Sequence, residues 1–230
     1  MFWIDWPYIV LVVPMLIVSL WAQIKVKTTY QKYSTVHSRS GMTAEVAVRK
    51  ILDSNGLFNV GITRVPGELT DHYDPRTNTI ALSDSVYGST SVAAIGVAAH
   101  EAGHAIQHAV GYGPIKIRTA IVPVTNIGSR LAMPLFIIGM LLANEYLAYA
   151  GIILFSLTVV FQLVTLPTEF NASRRAVKAL GGYGYMNDEE LKGTKKVLSA
   201  AAMTYLAALF VALASLLRLL LIVSGGRRRD

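Results

Sequence analysis

Four blocks of apolar residues, at 6–24, 121–143, 147–166 and 198–223, constrain this chain more than any other feature. Each is close to the ~20 residues that an α-helix needs to cross the hydrocarbon core of a bilayer. A backbone in lipid finds no water to bond, so such a segment closes its own hydrogen bonds as a helix. The sequence therefore predicts a mainly α membrane protein with about four transmembrane helices. Composition agrees: charged residues are 15% and apolar residues 53%, against roughly 25% and 45–50% in soluble domains.

The formal charge of +7 could suit a nucleic acid. The basic residues, however, lie in short polar stretches beside the apolar blocks, the placement that the positive-inside rule and anionic headgroups produce. The expected partner is the lipid bilayer, with no nucleic acid. The first block carries Trp6, Tyr8 and Trp21 at interfacial depths. It has neither a basic leader nor a small-x-small cleavage site, so it reads as an uncleaved anchor and not a signal peptide. Lys25, Lys27 and Lys32 place the next segment in the cytoplasm, and Arg174, Arg175, Lys178, Lys192, Lys195 and Lys196 place the loop after the third block there too. Thr125, Asn126 and Arg130 interrupt the second block, and Arg218 lies near the far end of the fourth. Both termini then fall outside, although Arg227, Arg228 and Arg229 pull the other way.

The expected division is an anchor at 1–24, a polar segment at 25–120, a transmembrane pair at 121–166, a helix and basic loop at 167–197, and a last span with its tail at 198–230. In the segment 25–120 Thr43, Ala44 and Glu45 start an amphipathic helix that Asn55-Gly56 ends. Residues 58–65 alternate like a strand, and Pro66-Gly67 is a turn. A second turn at 74–78 leads to a short apolar strand at 79–83, the candidate edge strand against which a substrate backbone could lie. Further on, Pro167 is expected to close the third span and Thr168 to cap a new helix ended by Gly181-Gly182.

Directly after strand 79–83 comes His100-Glu101-Ala102-Gly103-His104, an H-E-x-x-H, in a run with helix-start residues at 89–91 and a stop at Gly111. Helical residues four apart share a face about 6 Å apart, so both imidazoles can bind one metal ion. Glu101 projects beside them, able to reach a water that the metal activates. The chain has no cysteine, so a zinc ion here must use His and carboxylate. A catalytic zinc takes three protein ligands. The candidates are Glu169, His108, His72, His37 and several acids; Glu169 is the best, at a helix start and completing a His₂Glu set. His108, one turn beyond His104, fits a residue supporting the site better than a ligand.

The anchor, the stretch 69–76 (LTDHYDPR), the stretch 97–108 (VAAHEAGHAIQH) and the stretch 166–176 (LPTEFNASRRA) together resemble the YugP-like neutral zinc metallopeptidases of bacterial membranes, over nearly the whole chain. That family is similar in turn to gluzincins such as the HtpX-type membrane proteases. The resemblance implies a small α+β zincin-like cytoplasmic domain carrying the motif helix, one Zn²⁺ per chain, and Glu169 as third ligand. Ser173 falls where those proteases carry an Asp that supports the first His; a Ser accepts a hydrogen bond but adds no charge, and Asn171 or another acid is the alternative support. The implied protein is a multi-pass zinc endopeptidase of the bacterial cell membrane with Glu101 as general base, acting on a peptide or a membrane-protein substrate. His72, Arg174 and Tyr205 are candidates for a donor to the developing oxyanion. A site-two-type protease would take an Asp as third ligand, and a zinc-binding membrane scaffold or transporter that cleaves nothing would not need Glu101.

Overall fold

The computed structural model describes residues 5–226. A π-helical turn, Tyr8–Val12, opens the first helix, α1 (Val13–Ser34). Then follow α2 (Ala44–Ser54), β1 (Gly61–Val65), β2 (His72–Asp74), β3 (Thr79–Ser83), α3 (Val92–Ala109), α4 (Gly113–Leu141), α5 (Glu145–Gly182) and α6 (Asp188–Gly226). The protein is mainly helical, and four of the helices, α1 with its π turn, α4, α5 and α6, are long and apolar enough to cross a membrane. Each outruns its apolar block: α1 continues ten residues past Ile24, and α6 starts ten before Leu198. The tail residues Arg227, Arg228 and Arg229 lie outside the described residues.

The described residues form two compact units, one comprising 5–22, 117–166 and 204–226, the other 23–116 and 167–203. In the first, Phe136, Ala148, Ile152, Leu219 and Val223 form an apolar core. Gly151 lets α5 pack against α4, since a Cβ there would stand 2.6 Å from the Phe136 nitrogen and the Ala132 oxygen. Small residues of this kind bring apolar helices into backbone contact where no hydrophobic drive exists. The same unit holds an ion pair: the Arg218 guanidinium donates to Asp5 at 3.0 Å and lies 4.9 Å from the centre of the Tyr8 ring. Asp5 thus compensates a cation that the fourth apolar block would otherwise carry at a steep cost. Asp5→Asn is expected to lower the thermal midpoint, with a loss of about 3 kcal/mol, whereas the double change Asp5→Asn, Arg218→Met recovers most of it; scanning calorimetry of the three proteins in detergent measures this.

The second unit is built around a sheet of order β1-β3-β2. β3 pairs parallel with β1, Gly61 opposite Thr79, and antiparallel with β2, His72 opposite Ala81. Strand 79–83 is therefore central, which corrects its reading as an edge strand. The reason is in its side chains: Ile80, Ala81, Leu82 and Ser83 are all buried and none is charged, the profile of a strand covered on both faces. The edges are β1, which carries the exposed Arg64, and β2, which the alternation pattern did not reveal. β2 is three residues long, and its preceding loop is tied down by Asp71, which accepts from the Ser83 amide at 2.8 Å and its hydroxyl at 2.9 Å.

Pro167 does not end a helix: α5 runs unbroken from Glu145 to Gly182 with the proline inside it. Proline removes one backbone donor, but helices of this apolar class accept the loss through local adjustment and neighbouring groups. Thr168 is consequently a helix-interior residue, fully buried, and not a cap. The continuous rod places Glu169 and Ser173, four apart, on one face.

Candidate metal centre

The motif residues sit in the middle of α3, whose start is capped by Ser91: its hydroxyl accepts from the Ala94 amide at 3.2 Å. One face of α3 packs on the unit's core through Ala94, Ala98, Ala102 and Ala105, all 2% exposed or less. Short side chains keep α3 close to its neighbours. At Gly103 even a methyl is excluded, because a Cβ would stand 2.5 Å from the Ala172 carbonyl oxygen and 3.1 Å from its Cα. Glycine in a helix interior costs about 1 kcal/mol relative to alanine, and this contact is what it permits: α3 touches the backbone of α5.

Across that contact Glu169 meets both histidines. Its Oε2 lies 3.1 Å from His100 Nε2 and 3.5 Å from His104 Nε2, and the two imidazoles stand edge to face with centroids 4.7 Å apart. One donor atom from each of the three residues falls within 4.8 Å of the others, so this group could hold a metal ion. Glu169 is 2% exposed and His104 8%. Burial works against a charged His104, but Glu169 and Glu101 outweigh it and hold that imidazole above its ordinary value.

The far nitrogens of the rings are also engaged. His100 Nδ1 is 3.1 Å from the Ser173 hydroxyl, and His104 Nδ1 is 3.0 Å from Gln107 Oε1. The second contact fixes a tautomer. The Gln107 amide nitrogen donates to the Thr168 carbonyl at 2.8 Å and to Asn171 Oδ1 at 3.0 Å, and Asn171 Oδ1 accepts from Arg175 Nε at 2.8 Å. With its NH₂ spent on two oxygens, Gln107 can only accept from His104, so Nδ1 carries a hydrogen and Nε2 is the nitrogen left to face Glu169. Gln107, fully buried, was not singled out from the sequence. The signal was there in its position three residues after His104, on the same helix face.

Glu101 is 8% exposed, and its carboxylate makes no hydrogen bond or ion pair among the described residues. A carboxylate with no protein donor, next in sequence to His100, is free to act as a base.

None of the remaining candidates belongs to the group of three that could hold a metal ion. His108 lies against Tyr73 of β2, ring centroids 5.5 Å apart, and His72 is exposed with Nδ1 at 2.9 Å from the Thr70 carbonyl. His37 meets the Thr90 hydroxyl at 2.8 Å. Arg174 lines a groove on α5 beside Lys178. Asn171 supports Gln107 and not His100. Tyr205 belongs to α6 in the other unit.

The family described as "Putative neutral zinc metallopeptidase" matches residues 8–224. "Putative membrane protease YugP" of Bacillus subtilis (strain 168) is 49% identical over 220 residues, which cover 96% of this chain and 98% of that protein. No solved structure matches the chain.

Proposed function

The chain belongs to the neutral zinc metallopeptidase family, and from that premise we propose that it is a membrane-embedded zinc endopeptidase of the gluzincin type, with His100, His104 and Glu169 as ligands of one Zn²⁺ and Glu101 as general base. The observation that supports this most is the convergence of two imidazole Nε2 atoms and one carboxylate oxygen at 3.1–3.5 Å. Two nitrogens and one oxygen form a donor set that suits zinc and leaves an open position. Zinc held there would supply Lewis acidity, bringing the pKa of a water towards about 7.

The chain's own residues do the rest. Glu101 takes a proton from the attacking water and hands it to the leaving amine. Ser173 and Gln107 hold His100 and His104 in place, and the Arg175–Asn171–Gln107 chain keeps the His104 hydrogen on Nδ1. With β3 central, a substrate strand would add at β2, whose Tyr73 lies against His108 of the motif helix. The basic stretch at 167–197 favours a cytoplasmic site in a multi-pass protein of the bacterial cell membrane, suited to membrane-protein loops or unfolded segments.

Removal and return of the metal tests the reading. The purified protein is expected to cleave an unfolded protein substrate, to lose that activity to a chelator and to regain it with zinc; cleavage that persists in the metal-free protein refutes it. A second expectation concerns Gln107. Gln107→Met preserves volume but removes the acceptor for His104 Nδ1–H, and such outer partners are worth about 10–100-fold in metal affinity. Zinc competition with a chromophoric chelator should show a loss of that size.

A further inference from the structure

We propose that the groove between α5 and α6 in the second unit binds one anionic phospholipid. The groove is about 410 Å³ and is walled by Phe170, Arg174 and Lys178 of α5 and by Lys195, Leu198 and Ala202 of α6. Its polarity runs along the helices. Phe170 is the lining residue of α5 nearest in sequence to the apolar block 147–166, and Leu198 and Ala202 lie within the block 198–223, whereas Lys178 is the α5 lining residue farthest from its block and Lys195 lies outside the block of α6. An acyl chain at one end and a phosphate at the other reproduce that order.

The cations are available. Arg174, Lys178 and Lys195 are exposed, and among the described residues none forms a salt bridge. Two acids of the first turn of α6 are engaged elsewhere: Glu189 pairs with Arg39 at 3.8 Å, and Glu190 accepts from the Arg39 and Asn187 amides at 2.7 and 2.8 Å. Three unneutralised cations over an apolar floor attract a charged amphiphile, and a neutral lipid or a free anion satisfies only half of the surface. The inference depends on the chain residing in a membrane and is independent of peptidase activity.

The test is native mass spectrometry of the full chain in detergent, titrated with phosphatidylglycerol or phosphatidylcholine. The wild type is expected to retain one phosphatidylglycerol and to release phosphatidylcholine. At about one kilocalorie-scale step per charge, the triple variant Arg174→Gln, Lys178→Gln, Lys195→Gln should lose on the order of 100-fold in retention. The charge-conserving variant Arg174→Lys, Lys178→Arg, Lys195→Arg should retain the lipid, and so should Lys25→Gln, Lys27→Gln, Lys32→Gln, which removes equal charge elsewhere; circular dichroism checks that each is folded. Unchanged retention in the triple Gln variant, an equal loss in the Lys25, Lys27, Lys32 control, or equal retention of the neutral lipid overturns the proposal. So does displacement of the lipid by an equal concentration of glycerol phosphate or of an acidic peptide, the first assigning the groove to a free phosphate and the second to a protein segment.

Discussion

Gly103→Ala is expected to cost about 100-fold in peptide cleavage, with weakened zinc binding, although the substitution favours the helix that carries it. The two effects can be weighed. Alanine gains about 1 kcal/mol of helix propensity. Against this, its Cβ would stand 2.5 Å from the Ala172 carbonyl oxygen, nearly 1 Å inside ordinary contact, and the atoms in the way are backbone, which cannot rotate aside. Overpacking of this kind costs about 1–3 kcal/mol. The larger consequence is positional: α5 carries Glu169 and Ser173, one turn apart, and both reach His100. Moving α5 by the required distance withdraws the carboxylate and the hydroxyl together, and a 1 Å misplacement of a reacting constellation is worth about 10²-fold. Zinc content and cleavage rate measured on the same preparation check it. A variant with wild-type values in both would mean that the α3–α5 contact does not set the ligand geometry.

Much of this arrangement was legible before the structure, for identifiable reasons. The H-E-x-x-H spacing works because helical periodicity alone puts His100 and His104 on one face, and α3 extends from a Ser91 cap to a stop before Gly111, as its flanking residues indicate. Strand 79–83 appears with those bounds, since a short apolar run between turn residues leaves few alternatives. Its place in the sheet was not legible, because strand order is set by pairings across the chain; the uncharged TIALS segment was the local hint that it would be covered on both sides. β2 escaped notice because Tyr73 is the one apolar side chain in its three residues, too few for a period to register. Pro167 misled for a physical reason: the rule that proline ends helices is drawn from segments in water, and α5 passes through the proline within a helix of the transmembrane class. Of the Gln107 relay only the contact with His104, three residues back on one helix, was legible from local spacing, since its other partners, Thr168 and Asn171, are 61 and 64 residues away.

The second large effect is that of Glu101. Glu101 is 8% exposed, lies next in sequence to His100, and its carboxylate accepts from no donor among the described residues. Replacing it by the isosteric amide leaves His100, His104 and Glu169 untouched, so zinc should bind as before, while the group that accepts and delivers the proton is gone. General acid–base groups contribute about 10²–10⁴-fold, and a loss in that range is expected. A protein that only stores or carries zinc would show no change, since neither task needs a base beside the metal.

Glu101→Gln, assayed for zinc content by elemental analysis and for cleavage of an unfolded protein substrate on the same sample, is therefore the most direct measurement of the central claim. The predicted result is full zinc occupancy with cleavage reduced by at least about 100-fold; full occupancy with wild-type cleavage would contradict it.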